Sequence, residues 1–411
     1  MNKISILGLG YVGLPSAAVF AASGMKVVGI DINAKSVEII NSGRAHIVEP
    51  GLDELLHKVV GNGSLRATTI AEPSDVFVIA VPTPFKEGNA PDLAFVKSAA
   101  EMIAPLIEKG NLVILESTSP VGATEQLAAW IQEERPDLAV PELDGEEGDI
   151  YLAYCPERIL PGKVIQEVVE NDRVIGGITA QSSEQAVLFY NKAIKGACHI
   201  TNARTAELCK LSENSFRDVN IAFANELSMI SAKLGVDVYK LISLTNRHPR
   251  VNILQPGTGV GGHCIAVDPW FIVDSAPEEA RIIRTAREVN DSKPGWVVEQ
   301  VTKLAKSTDQ PVIACMGLAY KPDVDDLRES PAVEAVKLLV DKAIGKVVVC
   351  EPFVDALPDS IKELGVELMS TDQAFDKADI IVFLTAHDQF RHIPTHQWQN
   401  KIVFDACGLT K

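Results

Sequence analysis

A glycine-rich run that ends in a cysteine points most directly to covalent chemistry. Residues 256–264 read Pro-Gly-Thr-Gly-Val-Gly-Gly-His-Cys, and Asp268 follows four residues later. Glycines let the backbone approach a ligand closely, and a thiol becomes a nucleophile when nearby amides or cations lower its pKa. Free cysteines are more often buried and inert, but the composition of this loop favours Cys264 as a nucleophile.

A second set of polar residues lies on a long stretch without proline. Apolar residues recur there at helical spacing from residue 205 to about residue 235, which predicts one helix of roughly 30 residues. Lys210, Asn214 and Arg217 are spaced i, i+4 and i+7, so they share one face of this helix. A solvated polar stripe has the same spacing. If the face lines a cleft, the three side chains can instead stabilise an oxyanion.

The N-terminal sequence has the pattern of a dinucleotide-binding βαβ unit. An apolar run that begins at Lys3 leads into Gly8-Leu-Gly10-Tyr-Val-Gly13, a helix of small residues follows, and the next apolar run ends at Asp31. The glycines permit a tight turn, the approach of a pyrophosphate and close helix packing. A carboxylate at Asp31 can accept both ribose hydroxyls and repels a 2′-phosphate, which favours NAD over NADP.

Two turns with hydroxyl side chains follow later apolar runs. Thr83 comes after the run 76–81, and Thr118 comes after the run 112–116. Carboxyl ends of parallel strands form the edge at which open α/β sheets bind ligands. Both hydroxyls are therefore candidates for contact with a cofactor, although ordinary Ser/Thr turn caps have the same pattern.

The alternation of apolar runs and helical stretches predicts a parallel sheet covered on both faces. Helical sequence also covers about 278–306, and strand-like runs return at 311–317, 346–350, 379–385 and 402–405. The last hundred residues are therefore expected to form a second, smaller α/β domain.

The composition argues against several classes of protein. The chain has 411 residues, which suggests two or three domains, and 46% hydrophobic with 23% charged residues is typical of globular proteins. Its 38 basic and 55 acidic residues give a net charge of −17, which disfavours binding to nucleic acid. The apolar runs are far shorter than the roughly 20 residues that cross a bilayer.

Neither a disulfide framework nor a metal site is indicated. The seven cysteines are scattered and form no CxxC pair, which favours the reducing cytoplasm. His387, His392 and His396 lie near one another in sequence, but no carboxylate pattern completes a site. They are interpreted as surface residues.

These motifs together resemble the UDP-glucose/GDP-mannose dehydrogenase family. The resemblance extends along nearly the whole chain, and the matching segments follow the order that they have in the family. They are 8–15, 81–84, 117–122, 155–159, 210–214, 261–269 and 321–330. His46-Ile-Val-Glu-Pro50, Arg247-His-Pro-Arg250 and His263 are most similar to the members that act on UDP-N-acetyl-D-mannosamine. Val267 stands where the glucose-type enzymes have a lysine, which argues against UDP-glucose. Ser36 replaces an arginine that often follows the ribose-binding aspartate.

The resemblance implies an α/β architecture of two Rossmann-like doubly wound domains joined by a long central helix. Its expected parts are an NAD-binding domain at 1–200, a central helical region with the cysteine loop at 201–306 and a UDP-binding domain at 307–411. It also implies a homodimer formed through the central helix, with Arg250 reaching the partner's site. NAD is the implied cofactor, a UDP-sugar is the implied substrate, and neither nucleic acid nor a membrane is expected as a partner.

The implied activity is a four-electron oxidation of UDP-N-acetyl-D-mannosamine at C6 to UDP-N-acetyl-D-mannosaminuronate. The alcohol first gives a hydride to NAD, with Asp268 acting through water, or Lys210, as the base. Cys264 then adds to the aldehyde, and the thiohemiacetal gives up a second hydride to become a thioester that water hydrolyses. Lys210 and Asn214 stabilise the oxyanions, and Glu157 orients or deprotonates the hydrolytic water.

The family's binding residues carry over to two sets of positions. Those implied to contact NAD are Gly8, Gly10, Tyr11, Val12, Gly13, Asp31, Thr83, Thr118 and Arg328. Those implied to contact the nucleotide sugar are Arg158, Ile159, Lys210, Asn214, Arg217, His248, Arg250, Gly261, Tyr320 and Lys321. Thr118 also belongs to the implied catalytic set.

Three alternatives remain open at the level of sequence. UDP-N-acetyl-D-glucosamine differs from the mannosamine substrate at one stereocentre, which residue spacing does not resolve. A dehydrogenase that uses Lys210 alone would stop at the aldehyde or ketone and would leave Cys264 a bystander. A non-catalytic protein that binds NAD and a nucleotide sugar is disfavoured by the complete set of thiol, lysine and carboxylate.

Overall fold

The computed structural model of the chain describes residues 1–143, 145–159, 162–262 and 264–410, apart from the side chains of Glu87 and Thr395. The chain divides into two compact units, Met1–Ser212 and Glu213–Lys411. Each unit contains one β-sheet with an apolar cluster on either face. The three-part division expected from the sequence stays a prediction.

The first unit is built on an eight-stranded sheet. Its strands are β1 Lys3–Leu7, β2 Lys26–Ile30, β3 Leu65–Thr68, β4 Val76–Ile79, β5 Leu112–Leu115, β6 Tyr151–Tyr154, β7 Arg173–Gly177 and β8 Cys198–Asn202. Their order is β3-β2-β1-β4-β5-β6-β7-β8, and neighbours are parallel except β6 and β7. The first six strands have the order of a doubly wound dinucleotide-binding fold.

Helices connect these strands and cover both faces of the sheet. They are α1 Gly13–Ala22, α2 Ala34–Asn41, α3 Leu52–Gly61, α4 Ala94–Ile103, α5 Ala123–Glu134, α6 Val164–Glu170 and α7 Ala180–Tyr190, with 3₁₀ turns at Glu87–Asn89 and Ala104–Leu106. Along β1, Ile4 and Ile6 are buried in one apolar cluster, whereas Leu7 is buried in the other. Burial on both faces explains why the central strands read as continuous apolar runs.

Helix α8, Ala203–Leu234, has 32 residues and confirms the long helix that the proline-free stretch predicts. It begins in the first unit and ends in the second. None of the helices in the described part of the chain combines the length and apolar character that crossing a membrane requires.

The second unit contains a smaller, five-stranded parallel sheet in the order β11-β10-β9-β12-β13. Its strands are β9 Val312–Met316, β10 Lys346–Cys350, β11 Glu367–Leu368, β12 Ile380–Phe383 and β13 Ile402–Asp405. Its helices after α8 are α9 Val238–Thr245, α10 Asp268–Ser275, α11 Arg281–Ala305, α12 Pro331–Lys342, α13 Asp359–Lys362, α14 Thr371–Lys377 and α15 Asp388–Arg391, with a 3₁₀ turn at Thr395–Gln397. The α/β fold class is confirmed, and the strand-like runs of the last hundred residues form this second sheet.

A lysine that has no carboxylate partner among the described residues is buried in the second unit. Lys293 on α11 is 1% exposed, and its ammonium group donates to the Ser228 hydroxyl at 2.8 Å. It also lies over the Trp296 ring, 4.3 Å from the ring centroid. Among the described residues no carboxylate pairs with it, so burial lowers the pKa of Lys293 from 10.5 to about 7.

Replacing Lys293 with methionine is expected to remove one contribution to the pH dependence of stability. Between pH 7 and 10.5 the unfolded chain holds one proton more than the folded chain, because the pKa of Lys293 is lowered only by folding. Lys293 therefore makes the slope of the free energy of unfolding against pH more positive in this window. Lys293→Met should reduce that slope by about 1.4 kcal/mol per pH unit, measured by urea unfolding at pH 7.5 to 9. Lys303→Met, which removes an exposed lysine from the same helix, should leave the slope unchanged. Equal slopes in both variants would contradict the assignment.

Candidate active site

The loop between β1 and α1 has the geometry of a phosphate-binding turn. Gly8 has a φ of +89°, and a side chain there would collide with the Ala80 carbonyl group. A side chain at Gly13 would collide with the Gly8 carbonyl oxygen, whereas the space beside Gly10 is open. Val12, the N-cap residue of α1, makes no side-chain cap, so no side chain closes the helix N-terminus to a diphosphate. The exposed Tyr11 ring lies on the same loop.

Asp31 follows β2 and faces this loop. One carboxylate oxygen accepts a hydrogen bond from the Leu9 N–H group at 3.0 Å, and the other accepts from the Asn33 N–H group at 2.9 Å. The residue is only half-buried. Its remaining lone pairs can therefore meet the hydroxyls of an adenosine ribose.

The structure brings the Thr83 and Thr118 loops together. The Thr83 hydroxyl donates to the Thr118 carbonyl oxygen at 2.5 Å, and the Ser117 hydroxyl donates to the Val81 carbonyl oxygen at 2.7 Å. These loops follow the neighbouring strands β4 and β5. They therefore share the carboxyl edge of the sheet with the Gly8 loop.

Glu207, near the start of α8, anchors the turn that follows Thr118. Its carboxylate accepts from the Gly122 N–H group at 2.6 Å, and from the Thr124 N–H group and hydroxyl at 2.8 and 2.6 Å. Burial raises the pKa of Glu207 despite these bonds. Lys210 is half-buried about one turn further along the helix. The anchor therefore binds the start of α8 to the loop that carries Thr118.

Glu157 belongs to a buried charge cluster. Its carboxylate accepts from the Arg158 N–H group at 2.7 Å and from the Arg173 guanidinium at 2.7 Å. Arg173 also lies over the Tyr190 ring, and the Tyr190 hydroxyl donates to Glu116 at 2.6 Å. Burial raises the pKa of Glu116 to about 7, against the attraction of Arg173. Glu157 is thus held firmly at the edge of the sheet.

The segment after Glu157 is anchored from a distant loop. Glu49 is buried, and its carboxylate accepts from the Gly162 N–H group at 2.9 Å and from the Val164 N–H group at 2.8 Å. Ile159 packs against the apolar core of the unit. The sequence pattern 46–50 includes Glu49 but gives it no role.

Cys264 lies immediately before α10 in the second unit. Its carbonyl oxygen accepts from the Val267 N–H group at 3.1 Å and from the Asp268 N–H group at 2.9 Å. This single turn leads into α10, which begins at Asp268. The thiol residue and the carboxylate residue are therefore one turn apart. His263 lies outside the described residues.

Exposure distinguishes Cys264 from the buried thiols. Cys264 is exposed, whereas Cys155, Cys315 and Cys350 are buried. Burial raises the pKa of Cys155 and Cys315 to about 12 and that of Cys350 to about 11. These three remain protonated at neutral pH and cannot act as nucleophiles there.

Asp268 is bound to the long helix. The carboxylate is 3% exposed and accepts a hydrogen bond from the Asn214 side-chain amide at 2.5 Å. Asn214 is itself buried, one turn after Lys210 on α8, whereas Arg217 is exposed. The polar row that the helical spacing predicts is therefore linked through Asn214 to the Cys264 turn.

The glycines before Cys264 let the loop pack closely on other segments. A side chain at Gly261 would collide with the Glu329 carbonyl oxygen, and one at Gly262 would lie 2.8 Å from the Tyr320 ring. A side chain at Gly259 would lie 2.8 Å from Pro331. The close approach of the loop to Tyr320 therefore requires glycine.

Buried amides fix the other end of this loop. The Gly257 N–H group donates to the Asn225 side-chain oxygen at 2.9 Å, and the Asn225 amide donates to Asn290 at 2.9 Å. Asn290 in turn donates to Asp218, which pairs with the buried Arg287 at 2.7 Å. The sequence offers no local signal for this network, because its members lie on α8 and α11.

The loop after β9 carries three of the predicted binding residues. The Tyr320 N–H group donates to the Asp326 carbonyl oxygen at 3.2 Å, which closes the loop. The Lys321 ammonium lies 5.6 Å from the centroid of the Tyr320 ring. Arg328 is exposed and donates to both carboxylate oxygens of Asp326, at 2.8 and 2.7 Å. Tyr320 and Lys321 are thus adjacent to the glycine loop.

His248 and Arg250 are exposed on the loop that follows α9. The Asn246 side chain closes this loop through reciprocal hydrogen bonds with the Ile253 backbone, at 2.9 and 2.8 Å. The two side chains are therefore exposed to solvent on a loop that these hydrogen bonds stabilise.

The interpretation of His387 as a surface residue is wrong. His387 is 0% exposed and lies 3.0 Å from the Glu351 carboxylate. Its partners are distant in sequence, so spacing alone could not reveal them. His392 and His396 are exposed, as expected. In the part of the chain that the structure describes, no group of three or more His, Cys, Asp or Glu residues could hold a metal ion.

Comparison with known families gives matches along the chain. The NAD binding domain of the UDP-glucose/GDP-mannose dehydrogenase family matches residues 2–194. The central domain of that family matches residues 204–292, and its UDP binding domain matches residues 314–411.

Individual proteins agree with this assignment. An NDP-N-acetyl-D-galactosaminuronic acid dehydrogenase from Ralstonia nicotianae is 57% identical over 99% of this chain and 96% of its own length. A UDP-N-acetyl-D-mannosamine dehydrogenase from Campylobacter jejuni is 56% identical over 95% and 96%. The solved structure of a UDP-D-ManNAc dehydrogenase from Pyrococcus horikoshii is 38% identical, with a TM-score of 0.89 over 100% of this chain and 96% of that one. With its open dinucleotide loop and its cysteine turn, the chain belongs to the UDP-glucose/GDP-mannose dehydrogenase family and is an NAD-dependent UDP-sugar dehydrogenase.

Proposed function

We propose that the chain oxidises the C6 alcohol of UDP-N-acetyl-D-mannosamine to the carboxylate, with two NAD consumed per sugar. The observation that carries the proposal is the exposed thiol of Cys264, one turn from the buried pair formed by Asp268 and Asn214. The motifs 46–50 and 247–250 and the named relatives at 53–57% identity support the amino sugar over glucose.

The thiol is needed because an aldehyde has no alkoxide from which a second hydride can leave. NAD, when bound, accepts one hydride from C6 in each of the two oxidations. Asp268 through water, or Lys210, takes the proton of the C6 hydroxyl in the first oxidation. Cys264 then bonds to the aldehyde carbon, and the hemiacetal oxygen that forms is stabilised by Lys210 and Asn214. Loss of hydride leaves a thioester.

Hydrolysis completes the proposed sequence. Water adds to the thioester carbon, the carbon–sulfur bond breaks, and Cys264 leaves as the thiol while C6 becomes the carboxylate. Glu157 is proposed to orient this water or to take its proton. Its hydrogen bonds to Arg173 and to the Arg158 N–H group would fix the direction of the carboxylate.

The residues proposed to hold NAD fit a dinucleotide chemically. The open space beside Gly10 suits a pyrophosphate, and the half-buried carboxylate of Asp31 suits a ribose without a phosphate. The complete set of proposed NAD contacts is Gly8, Gly10, Tyr11, Val12, Gly13, Asp31, Thr83, Thr118 and Arg328. Thr118 is also kept as a proposed catalytic residue.

The nucleotide sugar is proposed to contact a second set of side chains and backbone groups. Lys321, beside the Tyr320 ring and the glycine loop, supplies positive charge for the diphosphate. The complete set of proposed substrate contacts is Arg158, Ile159, Lys210, Asn214, Arg217, His248, Arg250, Gly261, Tyr320 and Lys321.

A second candidate substrate is a UDP-N-acetyl-D-galactosamine. The Ralstonia relative, at 57% identity, is named for the galacto-configured uronic acid. UDP-N-acetyl-D-glucosamine stays a further alternative, because it differs from the mannosamine compound only at C2. All three carry the same C6 alcohol, so the proposed chemistry is the same.

We also propose a homodimer formed through α8. Phe216, Phe223, Ile230 and Leu234 lie on one face of that helix, and all four are exposed. Phe216 is 70% exposed and Phe223 is 54% exposed, which is unfavourable for large apolar side chains in water. The face lies well away from Lys210 and Asn214 around the helix axis. A second copy of the chain would cover it, with Arg250 directed to the partner's site.

The central helical region 201–306 and the flanking domains 1–200 and 307–411 are retained as the proposed division of the chain. The cytoplasm is the proposed compartment, because NAD-dependent oxidation needs a supply of the cofactor and the seven cysteines show no disulfide pattern.

The substrate assignment predicts a defined cofactor yield. The purified protein is incubated with NAD and with limiting UDP-N-acetyl-D-mannosamine, UDP-N-acetyl-D-galactosamine, UDP-N-acetyl-D-glucosamine or UDP-glucose. We expect the highest kcat/KM with the mannosamine compound and two NADH per sugar by absorbance at the reduced-cofactor band. A higher kcat/KM with another sugar would refute the substrate, and one NADH per sugar would refute the four-electron reaction.

The same assay tests the role of the Cys264 thiol separately from the roles of the other proposed site residues. Cys264→Ala should yield at most one NADH per sugar and no uronate, because without the thiol neither the thiohemiacetal nor the thioester can form. Cys198→Ala, which removes a half-buried thiol elsewhere, should keep the full yield. Uronate production by Cys264→Ala would contradict the nucleophile assignment.

Asp31→Asn is expected to raise the KM for NAD by roughly tenfold or more, because it removes the charge that strengthens the hydrogen bonds to the ribose. The KM for the sugar and kcat at saturating NAD should change little. Asp75→Asn serves as the control, since this carboxylate also accepts backbone N–H bonds but precedes β4 at the opposite edge of the sheet. An unchanged KM for NAD in Asp31→Asn would exclude Asp31 from the cofactor site.

Phe223→Asp is expected to convert the protein from a dimer to a monomer of 44.3 kDa in sedimentation velocity. The reason is that a carboxylate on the covered face would be buried without a partner. Leu188→Asp introduces the same change at an exposed apolar residue on α7 and should leave the dimer intact. A parent protein that sediments as a monomer would overturn the proposal.

A further inference from the structure

The two sheets place an acidic residue at equivalent positions. Asp31 follows β2 and accepts from the N–H group of Leu9, the residue after Gly8. Glu351 follows β10, the corresponding strand of the second sheet. It accepts from the N–H groups of Leu318 and Ala319, directly after Gly317, at 2.6 and 3.0 Å. Both carboxylates therefore hold the glycine turn that follows the first strand of their sheet.

The two carboxylates differ in their exposure and in their other hydrogen-bond partners. Asp31 is half-buried and keeps lone pairs toward solvent, whereas Glu351 is 4% exposed. Besides the two loop amides, Glu351 accepts from the Phe353 N–H group at 3.1 Å and from the His387 ring at 3.0 Å. The position that suits a ribose in the first sheet is filled by a protein side chain in the second.

His387 is fixed on both of its ring nitrogens. Nε2 lies 3.0 Å from the Glu351 carboxylate, and Nδ1 accepts from the Asp323 N–H group at 2.9 Å. The second bond requires an unprotonated Nδ1, so Nε2 carries the proton and donates to Glu351. The rings of Phe353 and Phe390 flank the imidazole, with centroids at 5.0 and 5.4 Å.

Glu351 is suited to the role of acceptor in this pair. Burial alone would raise its pKa, but the hydrogen bonds from His387 and from backbone N–H groups outweigh burial, so the pKa lies below its usual value. The carboxylate is therefore ionised near neutral pH and accepts every bond it makes.

The bond from Asp323 to His387 acts on the loop that carries Tyr320 and Lys321. Asp323 has a φ of +61°, which non-glycine residues adopt only when surrounding contacts impose it. Its carboxylate also accepts from the Asp388 N–H group at 2.9 Å. Glu351 thus binds the backbone of this loop at residues 318–319, and His387 binds the backbone of the same loop at Asp323.

We propose that His387 is a positioning residue which, bound between Glu351 and the Asp323 backbone, holds the 318–323 loop in the conformation that receives the UDP diphosphate. The proposal rests on the proposed function in placing UDP at Tyr320 and Lys321. It assigns to His387 and Glu351 a role in UDP affinity without contact with the ligand. The buried position of Glu351 also means that its carboxylate is not available to a second ribose.

Two substitutions separate the two hydrogen bonds of His387. His387→Gln keeps an N–H donor where Nε2 lies and loses the acceptor for the Asp323 N–H group. His387→Asn keeps an acceptor where Nδ1 lies and loses the donor to Glu351. His387→Phe keeps the ring shape and loses both. His392→Gln, at an exposed histidine five residues later, is the matched control.

The dissociation constant of UDP is measured for each protein by isothermal titration. We expect it to rise about tenfold in His387→Gln and by at least as much in His387→Phe, because the bond to Asp323 is lost. It should rise less, by about threefold, in His387→Asn, which loses only the bond to Glu351, and be unchanged in His392→Gln. Hydrogen exchange of the amides at 318–323 should speed up in the Gln and Phe variants only.

Kinetics distinguish positioning from general destabilisation. In His387→Gln the KM for the UDP-sugar should rise with the dissociation constant of UDP, while kcat and the KM for NAD stay within about twofold. Parental UDP affinity in His387→Gln, or equal losses in the Asn and Phe variants, would overturn the proposal. If the parent binds UDP but oxidises no UDP-sugar of the panel, the proposed substrate fails, and the titrations still decide the role of His387.

Discussion

Backbone N–H groups at the carboxyl ends of parallel strands must be satisfied after the sheet hydrogen bonds stop, and in this protein carboxylates satisfy several of them. Asp31 binds the loop after β1, Glu207 the turn before α5, Glu49 the segment before α6, and Glu351 the loop after β9. Each of these loops carries or adjoins residues proposed to bind a ligand. The shape of the ligand-binding edges therefore depends on bonds between acidic side chains and the main chain.

Some of the acidic residues that produce the net charge of −17 therefore have a structural role, because they hold loops in place. An anion that accepts two or three N–H bonds holds a loop more firmly than a neutral group, because charge-assisted hydrogen bonds are stronger. The cost of burying the charge is offset only when hydrogen-bond donors pair with the carboxylate. Glu351, with donors from three backbone groups and one imidazole, meets that condition in the described structure.

Local patterns were sufficient to predict most of the central elements but few of these anchors. The first βαβ unit and the 32-residue helix follow from apolar periodicity and from the glycine spacing, which act over short distances. Strand β8 has no apolar alternation because it is an edge strand with mostly exposed residues. His387 was misinterpreted because Glu351 and Asp323 are 36 and 64 residues away, and sequence spacing contains no information on such pairings.

The difference in exposure among the thiols determines which cysteines oxidants would modify first. Burial keeps Cys155, Cys315 and Cys350 protonated, so peroxides and alkylating agents react with them slowly. Cys264 is exposed on a turn, where the same reagents have direct access. Chemical damage would therefore reach the residue proposed as the nucleophile before it reaches these buried thiols, and the fold would outlast the proposed activity.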